Sequence, residues 1–476
     1  MSNHQTTEFK RSLGLLDGVM LVAGSMIGSG IFIVSADITR HVGSPGYLLL
    51  VWALTGVLTL IAAVSYGELS AMFPRAGGQY TYLREAYNPL VGFLYGWAFF
   101  AVIQTGTIAA VGVGFSKFAA YIWPVLSEKN ILLDLGSIKI SAAQLVSIGM
   151  IALLSFINSM GIQQGKWIQL LFTFAKLASI FGLIAAGLWV GSQSDFWSLN
   201  WANGWVSQSI ALTDTTVSST PIVGFMAVAM AIGVASVGSI FSSDSWNNVT
   251  FIAGEIKNPQ RNIGLSLALG TAIVTAIYLL MNIMYLMVLP LDGIAFAASD
   301  RVGVAAAEAI FGSNGTIIIA VMIMVSTFGC NNGLILSGAR VYYTMAQDGL
   351  FFKNAGLLNA NSVPEKAIWF QCVWASLLCL TGRYGDLLDY VCFVVLIFYI
   401  LTIAGIFKLR RSRPDAERPY RAFGYPVLPI IYIILASFIC ITLLIEKPEF
   451  TWPGLGIVLA GIPLYYWAIG QSPTKK

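Results

Sequence analysis

The residues best placed to do chemistry in this chain are small and mostly uncharged. Gly24-Ser25-Met26-Ile27-Gly28-Ser29-Gly30 sits at the centre of an apolar run from Leu13 to Ile38. Glycine inside a helix costs about 1 kcal/mol relative to alanine, and backbone released from a helix in hydrocarbon must find other partners. Two readings follow. Gly24 and Gly28 are spaced as a seam along which two membrane helices pack closely. Alternatively the helix breaks here, and the amides that begin its second half point at a ligand and favour an anion such as an amino acid carboxylate. The chemistry is then recognition rather than catalysis.

A second stretch repeats the anomaly. Gly238 to Asn248 places Ser239, Ser242, Ser243, Asp244, Ser245 and Asn247 inside another apolar run, with Phe241 and Trp246 among them. Paired interruptions in membrane helices mark substrate sites at the interface of inverted repeats, and the pairing favours a break over a seam. Asp244 has three readings: partner of a substrate cation, partner of Lys176, or cap of the half-helix that starts near Trp246. Lys176 lies about ten residues into its span, roughly 14 Å along a helix, too deep to reach the interface easily. It is either a fixed or titratable cation beside the first break or a structural lysine tying helices together through backbone carbonyls. Lys117, nearer an outer end, snorkels. Asn331 and Asn332 bridge helices or face the site.

These residues need a membrane scaffold. The chain has 476 residues, 57% hydrophobic and 10% charged, with a mean hydropathy of +0.77. That composition defines an all-α polytopic membrane protein. We read twelve spans, at 14–38, 47–72, 89–123, 140–160, 167–192, 222–254, 262–289, 314–346, 366–382, 385–408, 426–445 and 452–470. The interrupted spans are the first and the sixth, five apart, so they run in opposite directions. The expected organisation is a terminus at 1–13, a first inverted repeat at 14–192, an outer loop at 193–221, and a second repeat at 222–408. A basic inner loop at 409–425, two further spans within 426–470 and a terminus at 471–476 follow. The outer connection 290–313 carries a short helical stretch, Val302 to Phe311. With both termini inside, inner segments hold eighteen Lys and Arg against six outside, the asymmetry that sets orientation. Tyr80, Tyr82 and Leu83, in an inner segment from Gln79 to Ala86, are expected along the interface.

Several functions are disfavoured. The net charge of +4 is loop bias, not a nucleic-acid footprint. His4 and His41 are the only histidines, and the five cysteines have no metal or redox spacing. No cofactor or metal is expected. Gly161 to Lys166 lacks the spacing and hydroxyl of a phosphate loop. No nucleophile–base pair is visible within the spans, so no enzyme is expected. The first eleven residues are polar and the first apolar run is too long for a cleavable signal.

With these motifs in place, the chain resembles the amino acid–polyamine–organocation superfamily, specifically its L-type amino acid transporter branch. The resemblance covers the full length. It is carried by GSMIGSGIF at Gly24 to Phe32, FPRAGGQYTYLREAY at Phe73 to Tyr87, and AKL at Ala175 to Leu177. WNNVTFIAGEIKNPQRNI at Trp246 to Ile263 and GLGIVLAGIPLYYW at Gly454 to Trp467 complete it. It implies two inverted five-helix repeats plus two helices, with substrate held by backbone at both breaks. Ser25, Met26, Ser29 and Gly30 would serve the carboxylate. Met26 and Ile27 carbonyls, with Phe241 and Asp244 backbone, would serve the ammonium. Gly28, Ser242 and Asn247 complete the expected binding set, and Phe241 matches the family's aromatic gate. Lys176 matches a lysine near where sodium-coupled relatives hold their ion. The implied function is sodium-independent exchange of neutral amino acids across the plasma membrane. The alternatives are proton-coupled or cationic amino acid/polyamine symport and, outside the class, an amino acid-sensing receptor. Expected partners are amino acid substrates and the lipid bilayer. The connection from Pro124 to Ile138 lacks the cysteine that joins animal relatives to a heavy chain, so no heavy-chain subunit is expected, and the protein is a monomer or weak homo-oligomer.

Overall fold

A computed structural model describes residues 11–134, 139–213, 216–381 and 384–471. It is helical almost throughout. The first span divides into α1 (Leu15–Met26) and α2 (Val34–Val42), joined by a single 3-10 turn, Gly30–Phe32. Next come α3 (Pro45–Met72), α4 (Gln79–Ala86), α5 (Pro89–Ala98), α6 (Gln104–Ile122), α7 (Ala142–Ser159), α8 (Ile162–Gly191) and α9 (Phe196–Trp201). The sixth span divides into α10 (Phe225–Ser242) and the short α11 (Asn248–Phe251). They are followed by α12 (Pro259–Val288), α13 (Leu291–Ala295), α14 (Val302–Phe311), α15 (Ser313–Gln347), α16 (Glu365–Thr381), α17 (Tyr384–Ser412), α18 (Val427–Glu446) and α19 (Pro448–Gln471). Two antiparallel hairpins lie in connections between helices, β1 (Ile131–Asp134) with β2 (Lys139–Ser141) and β3 (Gln208–Thr213) with β4 (Thr216–Pro221). Among the described residues nine helices are long and apolar enough to cross a membrane. The divided first span supplies none of them, whereas the sixth supplies one, α10.

The helix starts are chemically specified. Asn88 caps α5 by accepting from the Val91 amide at 3.0 Å, with Pro89 in the first turn. Ser141 and Gln144 form a reciprocal capping box on α7. α5 and α6 form one long span through a π-helical turn, Phe99–Ile103, which turns Phe99, Ile103 and Gln104 toward the second break.

Packing is reciprocal between the halves. α3 packs along α12 and α6 along α15, while α1 meets α12 as α10 meets α3. α8 lies on α15 as α17 lies on α6, and α7 touches α15 as α16 touches α6. Two inverted repeats about a pseudo-two-fold axis generate this pattern.

One end of the bundle is pinned by ion pairs. The Glu68 carboxylate accepts from Arg410 Nη2 at 2.6 Å and from the Ala422 amide at 2.7 Å. Glu255 pairs with Arg340 at 2.9 Å, both buried. Arg84 and Tyr80 both donate to Asp348. Tyr80, Tyr82 and Leu83 therefore do not lie along the interface: α4 tucks inward and all three are fully buried, the two tyrosine rings and the leucine filling the space beside the second break. At the opposite end Arg40 donates to Asp300 and to the Ala295 carbonyl, each at 2.7 Å.

Glycine permits close helix contacts. A Cβ on Gly270 of α12 would stand 2.5 Å from Val22 Cγ1 of α1, whereas one on Gly149 of α7 meets nothing. Gly270→Val is expected to cost about 1–3 kcal/mol by overpacking and to lower the thermal midpoint of the purified protein by several degrees. Gly149→Val should leave it unchanged or slightly higher; equal midpoints for the two variants would contradict the α1–α12 packing.

Candidate functional site

The first break begins three residues later than the glycine pattern suggests. Gly24, Ser25 and Met26 complete the last turn of α1, and Ile27 is the first residue in extended conformation, with ψ at 95°. A helix that ends inside a bundle leaves its last carbonyls without partners. Here side chains from three other helices supply them. Lys176 of α8, wholly buried, donates to the Gly24 carbonyl at 2.8 Å and the Ile27 carbonyl at 2.7 Å. Cys330 of α15 donates its thiol to Ser25 O at 2.9 Å, and Ser326 of α15 reaches Ile27 O at 3.3 Å. The Tyr278 hydroxyl of α12 lies 3.0 Å from Met26 O and 2.8 Å from Ser242 O, so one hydrogen serves the ends of both broken helices.

The amides are treated differently. Among the described residues those of Gly28, Gly30 and Ile31 donate to no protein acceptor, although all three residues are buried. Buried unpaired amides are rare in native proteins, and a run of them where a helix restarts is an anion cradle. The absence of side chains at Gly28 and Gly30 is required. A Cβ on Gly28 would lie 3.2 Å from Cys330 Sγ, and one on Gly30 would lie 2.8 Å from Ser242 Cβ. Gly30 therefore brings the first break against the second.

The second break runs through Ser243 to Asn247, with Ser245 in the left-handed region at φ 67°, a conformation uncommon for serine. Phe241 and Ser242 lie in the last turn of α10, both buried. Asp244 neither pairs with Lys176 nor caps α11. Its Oδ1 accepts from the Tyr399 hydroxyl of α17 at 2.5 Å, and α11 has no side-chain cap. The lysine is drawn off by carbonyls that have no other donors of comparable strength. Asn247 donates to Gln79 Oε1 at 3.0 Å. Trp246 packs edge-on to Tyr66, ring centroids 4.7 Å apart, and lies 5.3 Å from the Tyr399 ring. The Ser25 side chain faces Gly333 of α15 rather than the gap. Asn331 donates to Ile108 O, and Asn332 lies between Asn158 and Gln169, both bridging helices. Lys117 is at the mouth of an outer cleft with Glu128, Lys129 and Arg301.

Sequence reasoning did not single out Tyr278, Ser326, Cys330 or Tyr399. Each is one polar group in an otherwise apolar span; a hydroxyl or thiol at mid-span was the available signal.

Two half-helices meeting end to side in the middle of a bundle, one end offering free amides, define a membrane transporter of the broken-helix type. The amino acid permease family profile matches residues 13–469, and the chain belongs to that family, within the amino acid–polyamine–organocation superfamily. It is 31% identical over 460 residues to the serine/threonine exchanger SteT of Bacillus subtilis (strain 168), covering 96% of each chain. It is 28% identical over 472 residues to the human b(0,+)-type amino acid transporter 1, covering 97% of this chain and 88% of that one. The human large neutral amino acids transporter small subunit 2 is 26% identical over 469 residues, covering 98% and 82%. The protein is thus a multi-pass membrane protein related to amino acid transporters, and not to enzymes.

Lys176→Ala leaves two buried carbonyls without their donor, at about 1–3 kcal/mol each. We expect lost transport in liposomes together with a lowered thermal midpoint. Wild-type flux at every pH would remove Lys176 from the site.

Proposed function

We propose that this protein is a sodium-independent exchanger of neutral amino acids, working by alternating access in the plasma membrane with both termini cytoplasmic. The observation that carries this reading is the division of labour at the first break, where carbonyls are satisfied by the protein and amides are left for a ligand. A substrate carboxylate accepts from Gly28, Gly30 and Ile31. Its ammonium lies toward the carbonyl ends of α1 and α10, near Met26, Ile27 and Phe241. Ser29, Ser242, Asp244 and Asn247 frame the space around it, while Ser25, turned toward Gly333, contributes through its place in the last turn of α1.

The Lys176 ammonium supports sodium independence. It occupies the oxygen cluster of Gly24, Ile27 and Ser326 with a cation that belongs to the chain. The two repeats, 14–192 and 222–408, then rock about the substrate, with Phe241 as the gate. No heavy chain or cofactor is required, and the working unit is a monomer or weak homo-oligomer.

The test is uptake of a labelled neutral amino acid into liposomes. Exchange predicts uptake only with amino acid inside, unaffected by replacing sodium. Uptake into empty liposomes driven by a pH gradient would instead establish proton symport. Gly30→Val would press its side chain into Ser242 and force the two breaks apart at the cradle, and we expect loss of substrate-induced thermal stabilisation. Unchanged stabilisation by substrate would overturn the assignment of the carboxylate site.

A further inference from the structure

Asp244 is a carboxylate placed where a cationic side chain would be attractive, yet it is already engaged. It follows Ser242, on which Gly30 packs, by two residues, so it lies on the wall next to the carboxylate cradle. Its carboxylate accepts from the Tyr399 hydroxyl at 2.5 Å and from the Ser245 backbone amide. Both residues are more than nine-tenths buried, at 8% and 6% exposure. The Tyr399 ring is itself held in place, 5.3 Å from Trp246 and 6.0 Å from Tyr66. Small cavities lie on both sides of this pair. One is polar, lined by Gln79, Gln104, Asn247 and Asn248; the other lies against Thr55, Thr59 and Tyr432. Each has room for roughly one water.

We infer that Tyr399 is the determinant of side-chain charge in this site: by donating to Asp244 and walling it in, it makes the pocket accept neutral side chains and refuse cationic ones. The inference rests on the proposed amino acid exchange. A lysine or arginine side chain entering from the cradle loses its hydration, and only a carboxylate it can touch offsets that loss. The phenol fills the approach to Oδ1. Displacing it needs a rotation that the Trp246 and Tyr66 rings oppose. A neutral side chain has no such requirement. The Asn248 amide, buried with its Nδ2 unpaired, supplies a donor that a small polar neutral side chain can use and a cation cannot.

Tyr399→Phe removes the donor and keeps the ring, so the packing with Trp246 and Tyr66 remains. The experiment is competition by lysine, arginine and a panel of neutral amino acids against one labelled neutral substrate in exchange-loaded liposomes. The readout is the ratio of dibasic to neutral inhibition constants. In wild type the dibasic compounds should compete weakly. In Tyr399→Phe their inhibition should strengthen relative to the neutral ones by roughly tenfold or more, the scale of a buried charge pair. Asp244→Asn combined with Tyr399→Phe should abolish that gain, since no carboxylate remains. The inference is overturned if wild type accepts dibasic and neutral amino acids equally. It is also overturned if the Tyr399→Phe ratio is that of wild type, or if the gain survives in the double variant. Neutral exchange in the same samples separates this from the parent reading: a wild type that exchanges no amino acid removes both, whereas neutral exchange with an unchanged ratio removes only the role of Tyr399. Should Tyr399→Phe not fold, Asp244→Asn alone decides, since it must leave the dibasic-to-neutral ratio of wild type unchanged; a ratio that rises, dibasic inhibition weakening once the carboxylate is gone, shows Asp244 already open to cations and overturns the inference.

Discussion

A membrane helix that stops halfway leaves carbonyls that no bulk water reaches, and the whole arrangement depends on meeting that cost. In hydrocarbon each unpaired backbone group is worth several kcal/mol. Four consecutive carbonyls, from Gly24 to Ile27, accept from Lys176, Cys330, Tyr278 and again Lys176. The donors come from α8, α12 and α15, which is why those helices crowd around α1. The bundle must form before the break is tolerable, so the break is a property of the tertiary structure rather than of the glycines alone.

Tyr278 ties this local solution to the other half of the molecule. Its hydroxyl lies within reach of Met26 O and Ser242 O, the carbonyl ends of two helices from different halves. One hydrogen shared by two acceptors is weaker for each than a dedicated bond, so it holds the two ends together without locking them. The close approach of Gly30 to Ser242 works in the same sense. Movement of one half is therefore felt at the other through a hydroxyl and a glycine.

Much of this was legible in the residues themselves. Apolar runs of membrane length, small polar residues at mid-depth and a lysine with nowhere to snorkel indicate a polytopic bundle with two interrupted spans, and the helix Val302–Phe311 appears where it was expected. The position of the first break was less legible. Glycine and serine at 24 and 25 argued against helix, but their carbonyls are held by tertiary donors, and that support outweighs about 1 kcal/mol of propensity. The partners were invisible for a different reason. Tyr278 is 252 residues from Met26, and Cys330 is 305 from Ser25, so no local pattern links them. Asp244 illustrates the limit: its residue type announces a charge, but only the fold shows that Tyr399 holds it.

The contrast between paired carbonyls and free amides also bears on why such a site would exchange rather than simply carry. Closing the bundle around the cradle buries the amides of Gly28, Gly30 and Ile31. With a carboxylate present they are satisfied by charge-assisted bonds. Without one, each costs about 1–3 kcal/mol, and a penalty of 1.4 kcal/mol at the top of the barrier already slows reorientation about tenfold. Lys176 cannot relieve them, being a donor itself and committed to carbonyls. Under the proposed exchange, unloaded reorientation is penalised by the same amides that would hold the carboxylate, and this coupling would make flux in one direction wait for a substrate to bring the protein back. The side-chain wall around Asp244 and Tyr399 is separate from this device. On the inference above it would alter which amino acid is chosen without altering the requirement that one be bound.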